Sequence, residues 1–397
     1  MTDDAAAWLT WTDDQGQAQR TRWRSLAGHP APQRVVLADD RMSASTAFGH
    51  ARAGTGLLWR GDYQNARQML QAMARRLDAQ GGAKALPPRA PDTASLREAF
   101  GAQRRAQAQR AQVLGMLLLP FDADHGLPLR RAPDVRAAGA QAHGPAGEHY
   151  VESLRELLGL IGAIEWRRKG VPIAALDARI HPHHGVFSPI RGEYVDLVLT
   201  TPLPAAAQVG GAGPGAFDIG TGTGVLAAVL ARRGLRVIAT DNDPRALACA
   251  QDNLARLGLA QTVTVLAADL FPPGQAGLVV CNPPWVPVPA GLHAGSALEA
   301  AVYDPDSQML RGFLAGLAAH LVPGGEGWLV LSDLAEHLGL RSRSELLGWI
   351  AASGLRVLGR HGVRPRHGKA TDATDPLHAA RSVELTSLWR LGAANDG

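Results

Sequence analysis

The sequence "VVCNPPWVP", residues 279–287, ends an apolar run with residue types that could hold a ligand. Two consecutive prolines cannot continue a helix or a central strand, so the predicted strand must stop at Asn282. An amide, two stiff prolines and the flat indole of Trp285 follow one another at that point. The segment is therefore either a rigid turn around a core tryptophan or a ligand-binding segment at the end of a strand.

A second candidate segment is the glycine loop "DIGTGTG", 218–224. Glycine lacks a side chain, so it permits close approach of the backbone to a ligand and close packing of a helix on a strand. The three glycines alternate with small or polar residues, and the ligand-binding candidates here are Asp218, Gly220, Thr221, Gly222 and Gly224. A glycine turn that only packs helix on strand is the alternative.

Acidic residues end the next two predicted strands, at Asp241 and Asp269. A carboxylate at Asp241, beside Asn242, can accept both hydroxyls of a ribose, which fits adenosine cofactors in general. Asp269 with Leu270 suits the exocyclic amine and the face of an adenine. Asp218 within the glycine loop favours a cofactor with an amino or sulfonium group over a dinucleotide pyrophosphate.

Together these motifs resemble the class I S-adenosylmethionine-dependent methyltransferases, over about residues 180–391. More narrowly, Asn282-Pro283-Pro284-Trp285 resembles the fourth motif of the amino-methyltransferases, which include release-factor glutamine enzymes and nucleic-acid base N-methyltransferases. The resemblance implies S-adenosyl-L-methionine as cofactor and all four residues as the catalytic motif, with Asn282 also beside the cofactor. No metal is implied.

The chemistry of a planar nitrogen explains this motif. Its lone pair is delocalised, so the nitrogen is a poor nucleophile until it is held and pyramidalised. The Asn282 oxygen and the Pro283 carbonyl can each accept one N–H, and they stabilise the positive charge that grows during transfer. Trp285 offers a stacking face. The expected reaction is N-methylation.

A regular alternation of strands and helices must position these residues. Strands are predicted at 215–220, 236–241, 262–269, 277–282, 325–332, 354–359 and 382–391, with helices between most of them. This pattern predicts an α/β fold with a Rossmann-like, doubly wound, seven-stranded sheet. No helix is predicted between the last two strands, which should form an antiparallel hairpin at one edge.

Residues before the glycine loop add substrate-site candidates. Two short strands around a turn are predicted in 178–203, and "VFSPIRGEYVD", 186–196, resembles the family's element before the first motif. Ile190 interrupts the family's Pro-Arg pair. Arg191 and Glu193 are expected to face the pocket, with a surface ion pair as the alternative.

A long connection, 286–308, is predicted to form a lid or substrate wall that includes Tyr303, Asp304 and Asp306. Its length exceeds what a strand-to-helix connection needs. Alternatively, Asp306 or Ser307 caps the following helix.

Three segments make up the predicted domain organisation. Residues 1–150 are expected to be a mainly helical accessory or substrate-recognition domain, with helices at 63–78 and 93–119. Residues 151–209, with a helix at 152–166, form a helix and β-hairpin lead-in, and 210–397 form the methyltransferase domain.

Composition constrains the partners only weakly. The net charge of +4 and the pI of about 9.4 permit nucleic acid, as does the basic segment 356–369. His181, His183 and His184 have no closed set of metal ligands around them. Two cysteines, no leader-like N-terminus and no long apolar run favour a cytoplasmic protein without a membrane partner.

The substrate is the least determined property. A macromolecular substrate is expected, either a nucleobase in RNA or DNA or a protein glutamine, and RNA or a ribosome-linked substrate is compatible with the basic segment 356–369. A small-molecule N-methyltransferase and a non-catalytic scaffold are the alternatives, and a nucleotide-linked oxidoreductase is a weaker one because the Asn282 motif has no role in hydride transfer.

Overall fold

The computed structural model describes residues 7–80, 92–145, 147–208, 215–288, 299, 301–366 and 372–394. Contacts divide the chain into two units. The N-terminal unit comprises 1–88 and 101–165, and the C-terminal unit comprises 89–100 and 166–397. The predicted boundaries, 150/151 and 209/210, differ from this division.

In the N-terminal unit, short strands assemble into one six-stranded sheet of order β1-β2-β6-β5-β4-β3. The strands are β1 (Trp8–Thr12), β2 (Ala18–Trp23), β3 (Arg34–Ala38), β4 (Thr55–Trp59), β5 (Leu117–Phe121) and β6 (Tyr150–Ser153). The helices are α1 (Ala44–Arg52), α2 (Tyr63–Gln80), α3 (Thr93–Gly115), α4 (Arg136–His143) and α5 (Leu154–Lys169), of which residues 93–100 of α3 and 166–169 of α5 belong to the C-terminal unit. Helices supply most of the regular residues, as predicted, but the complete sheet was not expected.

The C-terminal unit begins with a small hairpin and continues as an alternation of strands and helices. Its strands are β7 (Val171–Ile173), β8 (Ala178–Ile180), β9 (Ala216–Ile219), β10 (Val237–Asp241), β11 (Val263–Ala267), β12 (Ala276–Cys281), β13 (Val286–Val288), β14 (Tyr303–Pro305), β15 (Leu321–Ser332), β16 (Leu355–Val363) and β17 (Thr386–Ala393). Its helices are α6 (Glu193–Thr200), α7 (Ala205–Gln208), α8 (Val225–Arg232), α9 (Pro244–Arg256), α10 (Gln308–Leu317), α11 (Leu334–His337), α12 (Arg343–Ala352) and α13 (His378–Arg381).

Seven of these strands form the main sheet, in the order β11-β10-β9-β12-β15-β17-β16. Strand β17 runs antiparallel to both neighbours, and the other described pairs are parallel. Separate apolar clusters cover the two faces. The predicted doubly wound sheet with an antiparallel last strand is confirmed, with that strand inserted between β15 and β16.

Three local predictions were wrong. Residues 193–200 form helix α6, although a strand was predicted there. Residues 117–119 begin strand β5, whereas the sequence predicted that the preceding helix continues to 119. A short helix, α13, lies between the last two strands, where none was predicted.

A smaller apolar cluster, which we call the cover cluster, packs against the segment that follows Asn282. Its buried members are Leu96, Val286, Leu334, Leu338, Leu377 and Ala380. Phe100, Trp285 and Tyr303 pack on it. All of these residues belong to the C-terminal unit, so the first two turns of α3 are part of that unit's interior.

Within the described part of the chain, no helix combines the length and apolar character needed to cross a membrane.

Candidate active site

The glycine loop connects β9 to α8 at the carboxyl edge of the sheet. Gly220, Gly222 and Gly224 all have positive φ, at 69°, 55° and 80°, a conformation that disfavours residues with a Cβ. A Cβ at Gly224 would lie 3.3 Å from Ala250 of α9, whereas a Cβ at Gly222 would meet nothing within 4 Å. The loop is therefore closely packed at Gly224 and leaves room for a ligand at Gly222.

Asp218, near the end of β9, is almost completely buried. One of its oxygens, Oδ2, accepts hydrogen bonds from the Thr221 hydroxyl at 2.6 Å and from the Ala227 backbone N–H at 3.0 Å. Burial raises the pKa of the carboxyl group to about 6, against these two hydrogen bonds, which lower it. The buried Asp218 side chain therefore fixes the conformation of the glycine loop through these hydrogen bonds.

Asp241 ends β10, the strand next to β9. Its Oδ2 accepts the Gly222 backbone N–H at 3.0 Å, and its Oδ1 accepts the Asp243 N–H at 3.0 Å. Each carboxylate oxygen can accept more than one hydrogen bond, so both remain able to bind a ribose hydroxyl. Burial raises the pKa of this carboxyl group. Asn242 follows it and is exposed.

Asp269 and Leu270 follow β11, the strand on the other side of β10. The Asp269 side chain is exposed, and Leu270 is half-buried with a φ of 71°. The Leu270 carbonyl accepts the Thr240 hydroxyl at 2.5 Å, which ties this turn to β10. The three acids thus lie at the ends of three adjacent strands.

Asn282 directly follows β12, the neighbour of β9 on the side away from β10. The Trp285 indole N–H donates to the Asn282 side-chain oxygen at 2.8 Å. Asn282, Pro284 and Trp285 are half-buried, whereas Pro283 is buried. A hydrogen bond therefore joins the first and last residues of the motif, and the sequence did not predict this bond.

Arg191 stands over the Trp285 ring, with its guanidinium carbon 4.8 Å from the ring centroid. Its Nε donates to Glu193 at 2.8 Å, and its Nη2 donates to Glu384 at 3.0 Å and to Thr386 at 3.3 Å. Both carboxylates are buried. The pair of Arg191 and Glu193 is thus an interior ion pair, and the alternative of a surface ion pair was wrong.

Strands β13 and β14 pair in parallel beside the motif, with Val286 opposite Tyr303. Asp304 is buried and accepts the backbone N–H groups of Met309 and Leu310 at 3.0 and 3.1 Å. It therefore caps α10. Ser307 occupies the N-cap position without a side-chain cap bond. Part of the predicted lid, 289–298 and 300, lies outside the described residues.

No group of three or more potential metal-ligating side chains occurs among the described residues. Within the predicted histidine group, His181 contacts the Arg167 carbonyl at 2.6 Å and His183 contacts Asp252 at 3.1 Å. Of the basic segment 356–369, residues up to 363 lie in β16, and 367–369 lie outside the described residues.

Two site residues were missed by the sequence analysis. Glu384 lies just before β17, almost 200 residues from Arg191, and no local pattern marked it. Tyr194 follows Glu193 and meets Trp285 edge-on, with ring centroids 6.4 Å apart. Its position in α6 was hidden by the wrong prediction of a strand.

Comparison with known proteins agrees with the fold. Residues 177–343 match the family model described as Methyltransferase small domain, which spans less than half of the chain. Over this range the chain is similar to the methyltransferases of that family, which use S-adenosylmethionine as cofactor.

Three curated relatives are each similar to part of this chain. A release factor glutamine methyltransferase from Cereibacter sphaeroides is 32% identical over 35% of this chain and 51% of its own length. A ribosomal RNA large subunit methyltransferase K/L from Pseudomonas paraeruginosa is 29% identical over 40% of this chain and 23% of its own. A ribosomal protein L11 methyltransferase from Pelotomaculum thermopropionicum is 35% identical over 34% and 41%. The chain thus spans about half or less of these relatives.

Proposed function

We propose that this chain is an S-adenosylmethionine-dependent N-methyltransferase that acts on a planar amino or amide nitrogen of a macromolecule. The observation that carries the proposal is the Asn282 amide at the end of β12, beside the glycine loop of β9 and held by the Trp285 indole. In support of the proposal, a preorganised N–H acceptor lies beside the loop to which we assign the cofactor.

The cofactor is proposed to lie across the carboxyl ends of β9, β10 and β11. The residues assigned to it are Asp218, Gly220, Thr221, Gly222, Gly224, Asp241, Asn242, Asp269, Leu270 and Asn282. The open space at Gly222 and the two Asp241 oxygens fit a ribose next to backbone. When bound, the cofactor supplies an electrophilic methyl group.

The catalytic motif is assigned to the target nitrogen. Asn282 Oδ1 and the Pro283 carbonyl each accept one N–H of the substrate, which orients the nitrogen lone pair toward the methyl group. The two prolines limit the motion of the loop, so little ordering remains for the moment of binding. During methyl transfer, these oxygens would stabilise the positive charge that develops on the target nitrogen, and that charge would be lost when the nitrogen releases its proton to solvent.

A macromolecular substrate is favoured by the relatives, whose names specify a release factor, ribosomal RNA and a ribosomal protein. We assign residues 1–150 to substrate recognition. In support, Trp8 is partly exposed on β1, and the guanidinium carbons of Arg20 and Arg22 lie 3.9 and 4.3 Å from its ring. Arginine beside an exposed aromatic ring is a common arrangement for binding bases and phosphates.

We propose a cytoplasmic location. Both cysteines, Cys249 and Cys281, are free and buried, which agrees with a reducing compartment.

The cofactor assignment is tested with Asp241→Ala. Loss of the carboxylate removes the acceptor for the ribose hydroxyls, and we expect S-adenosylmethionine affinity to fall at least tenfold by calorimetry. Asp196→Ala, an exposed residue of α6, is the matched control and should bind normally. Tighter binding of NAD than of S-adenosylmethionine by the unmodified chain would contradict the assignment.

The catalytic assignment is tested with Asn282→Ala. Cofactor affinity should change less than threefold, while methyl transfer falls at least a hundredfold, because the acceptor acts mainly in the transition state. Turnover is measured as labelled methyl transferred into fractionated cell extract, with nuclease and protease controls. Label in small metabolites alone would overturn the macromolecular substrate, and undiminished transfer by Asn282→Ala would overturn the role of the amide.

A further inference from the structure

We propose that Arg191 is a positioning residue. It holds the Trp285 indole, and through that indole it fixes the orientation of the Asn282 amide that receives the target N–H. The catalytic meaning of this arrangement rests on the proposed function. The structural link among the side chains of Arg191, Trp285 and Asn282 does not depend on the proposed function.

The first step is the hydrogen bond between Trp285 and Asn282. Rotation about the Cβ–Cγ bond of an asparagine exchanges its oxygen with its NH₂ group. The indole N–H can only donate, so its contact with Asn282 Oδ1 at 2.8 Å selects the orientation with the oxygen toward Trp285. A carbonyl oxygen has a second lone pair, which stays available for a substrate N–H.

The second step is the support of the indole itself. Arg191 covers one face of the Trp285 ring, with the guanidinium carbon 4.8 Å from the centroid. Tyr194 contacts the same ring edge-on, at an interplanar angle of 88°. Cation–π and edge-to-face contacts both depend on ring orientation, so together they restrict rotation of the indole.

The third step is the anchoring of Arg191. Its guanidinium donates to Glu193 at the start of α6, to Glu384 just before β17, and to Thr386, the first residue of β17. Glu384 also accepts the Ser332 hydroxyl, at the end of β15, at 2.6 Å. A planar guanidinium can make all of these contacts and stack on a ring at once, which a lysine ammonium cannot.

The cluster of Arg191, Glu193 and Glu384 also carries a net charge that bears on catalysis. The buried cluster holds one guanidinium and two carboxylates, a formal charge of −1 beside Trp285. The other oxygen of Glu384, Oε2, is buried and has no hydrogen-bond partner. Positive charge that develops on a target nitrogen near Asn282 is therefore favoured by the cluster.

The link is tested without cofactor or substrate, by ¹⁵N NMR of the indole N–H groups in the full chain. The Trp285 signal is the one lost in Trp285→Phe. In Arg191→Ala, we expect its hydrogen exchange to be at least tenfold faster and its proton resonance to move upfield. Arg256→Ala, which breaks an exposed ion pair with Asp252, should leave the signal unchanged. An unchanged signal in Arg191→Ala would overturn the proposal.

Misfolding is separated from loss of positioning by two further variants. Arg191→Lys keeps the charge but should show the same loss of protection. Arg191→Met combined with Glu193→Gln keeps the formal charge of the cluster at −1. This double variant should also lose the protection of the Trp285 indole N–H from hydrogen exchange. If both variants are folded and retain the slow exchange of the Trp285 N–H, the guanidinium does not hold the indole.

Activity provides the second readout, through a double-mutant cycle. Arg191→Ala should lower kcat about tenfold with little change in KM for S-adenosylmethionine. In a Trp285→Phe background, which keeps a ring but lacks the N–H donor, the same change should lower kcat less than threefold. Full additivity of the two effects would overturn the pathway through Trp285. Absence of any methyl transfer, with the NMR result as expected, would refute the proposed function and leave the mechanical link standing.

Discussion

Asp218 is buried among apolar strands, yet it organises the loop that follows it. Its Oδ2 accepts hydrogen bonds from the Thr221 hydroxyl and from the Ala227 N–H. Burial raises its pKa from 3.8 to about 6, so the folded chain binds a proton at this carboxyl group more tightly than the unfolded chain does. The stability that this protonation contributes is present at low pH and is lost as the pH rises through about 6.

We therefore expect Asp218→Asn to flatten the pH dependence of stability. Between pH 4.5 and 6.5 the unmodified chain should lose on the order of 2 kcal/mol more of its free energy of unfolding than the variant does. Urea denaturation across this range measures the difference. Asp196→Asn, on the exposed face of α6, is the control and should follow the unmodified chain. Parallel curves for Asp218→Asn and the unmodified chain would contradict the raised pKa.

Candidate site residues at strand ends were predictable from the sequence, and candidates that contact the site through another side chain were not. Asp218, Asp241 and Asn282 follow apolar runs, so the sequence alone indicated that they meet at one sheet edge. Glu384 has no such local signal, because its role depends on β17 lying beside β15, and topology rather than composition decides that.

Among the elements, α10 begins in an unusual way. Ser307 occupies the N-cap position with a φ of 55° and makes no cap bond, whereas Asp304, three residues earlier, accepts two of the free N–H groups. From the sequence, a cap by Asp306 or Ser307 was the alternative to a lid or substrate wall. Asp304 was missed because it lies in β14, where its side chain reaches forward past the turn.

Replacement of Asp304 should therefore weaken the start of α10. Asp304→Ala is expected to lower the free energy of unfolding by about 1–2 kcal/mol, and Asp304→Asn by less, because the amide keeps one acceptor oxygen. Ser307→Ala removes a hydroxyl without a cap bond and should cost less than about 0.5 kcal/mol. Chemical denaturation of the three variants gives the order. A larger loss in Ser307→Ala would assign the cap to the serine.

The wrong prediction for 193–200 has a physical explanation. The sequence "EYVDLVLT" is rich in residues that favour strands, such as Val195 and Val198. Those two lie three positions apart, and both are completely buried on the same side of α6. Helical spacing of buried residues decided the structure over intrinsic propensity. In contrast, α8, α9 and α12 alternate with clear strands, and their predictions were confirmed.

At the scale of the whole chain, the C-terminal unit depends on residues from far upstream. Leu96 and Phe100, in the first turns of α3, pack into the cover cluster, and Phe100 lies 6.4 Å from the Tyr303 ring. Local sequence patterns could not predict this packing, because the partners of Leu96 and Phe100 are more than 180 positions away. The sequence predicted domain boundaries near 150 and 210, but contacts divide the chain elsewhere.

Leu96→Ala should therefore destabilise the C-terminal unit, although Leu96 precedes most of that unit in the sequence by about 70 residues or more. Loss of this buried side chain is expected to cost about 2 kcal/mol. The thermal transition that shifts upward with S-adenosylmethionine reports the C-terminal unit, and it should fall by several degrees in the variant. Leu347→Ala, at a partly exposed position of α12, is the matched control. A transition as high as that of the control would exclude Leu96 from the unit's core.

The position of residues 92–100 also sets an order of events during synthesis. Leu96 leaves the ribosome long before Leu377 and Ala380, its partners in the cover cluster. At typical elongation rates, the intervening stretch of about 280 residues takes roughly 15–60 s to make. During that interval, the apolar side of this helix start has no completed surface to pack on. The apolar side of the start of α3 therefore stays exposed on the nascent chain for tens of seconds. Such an exposed apolar segment is a natural binding site for chaperones.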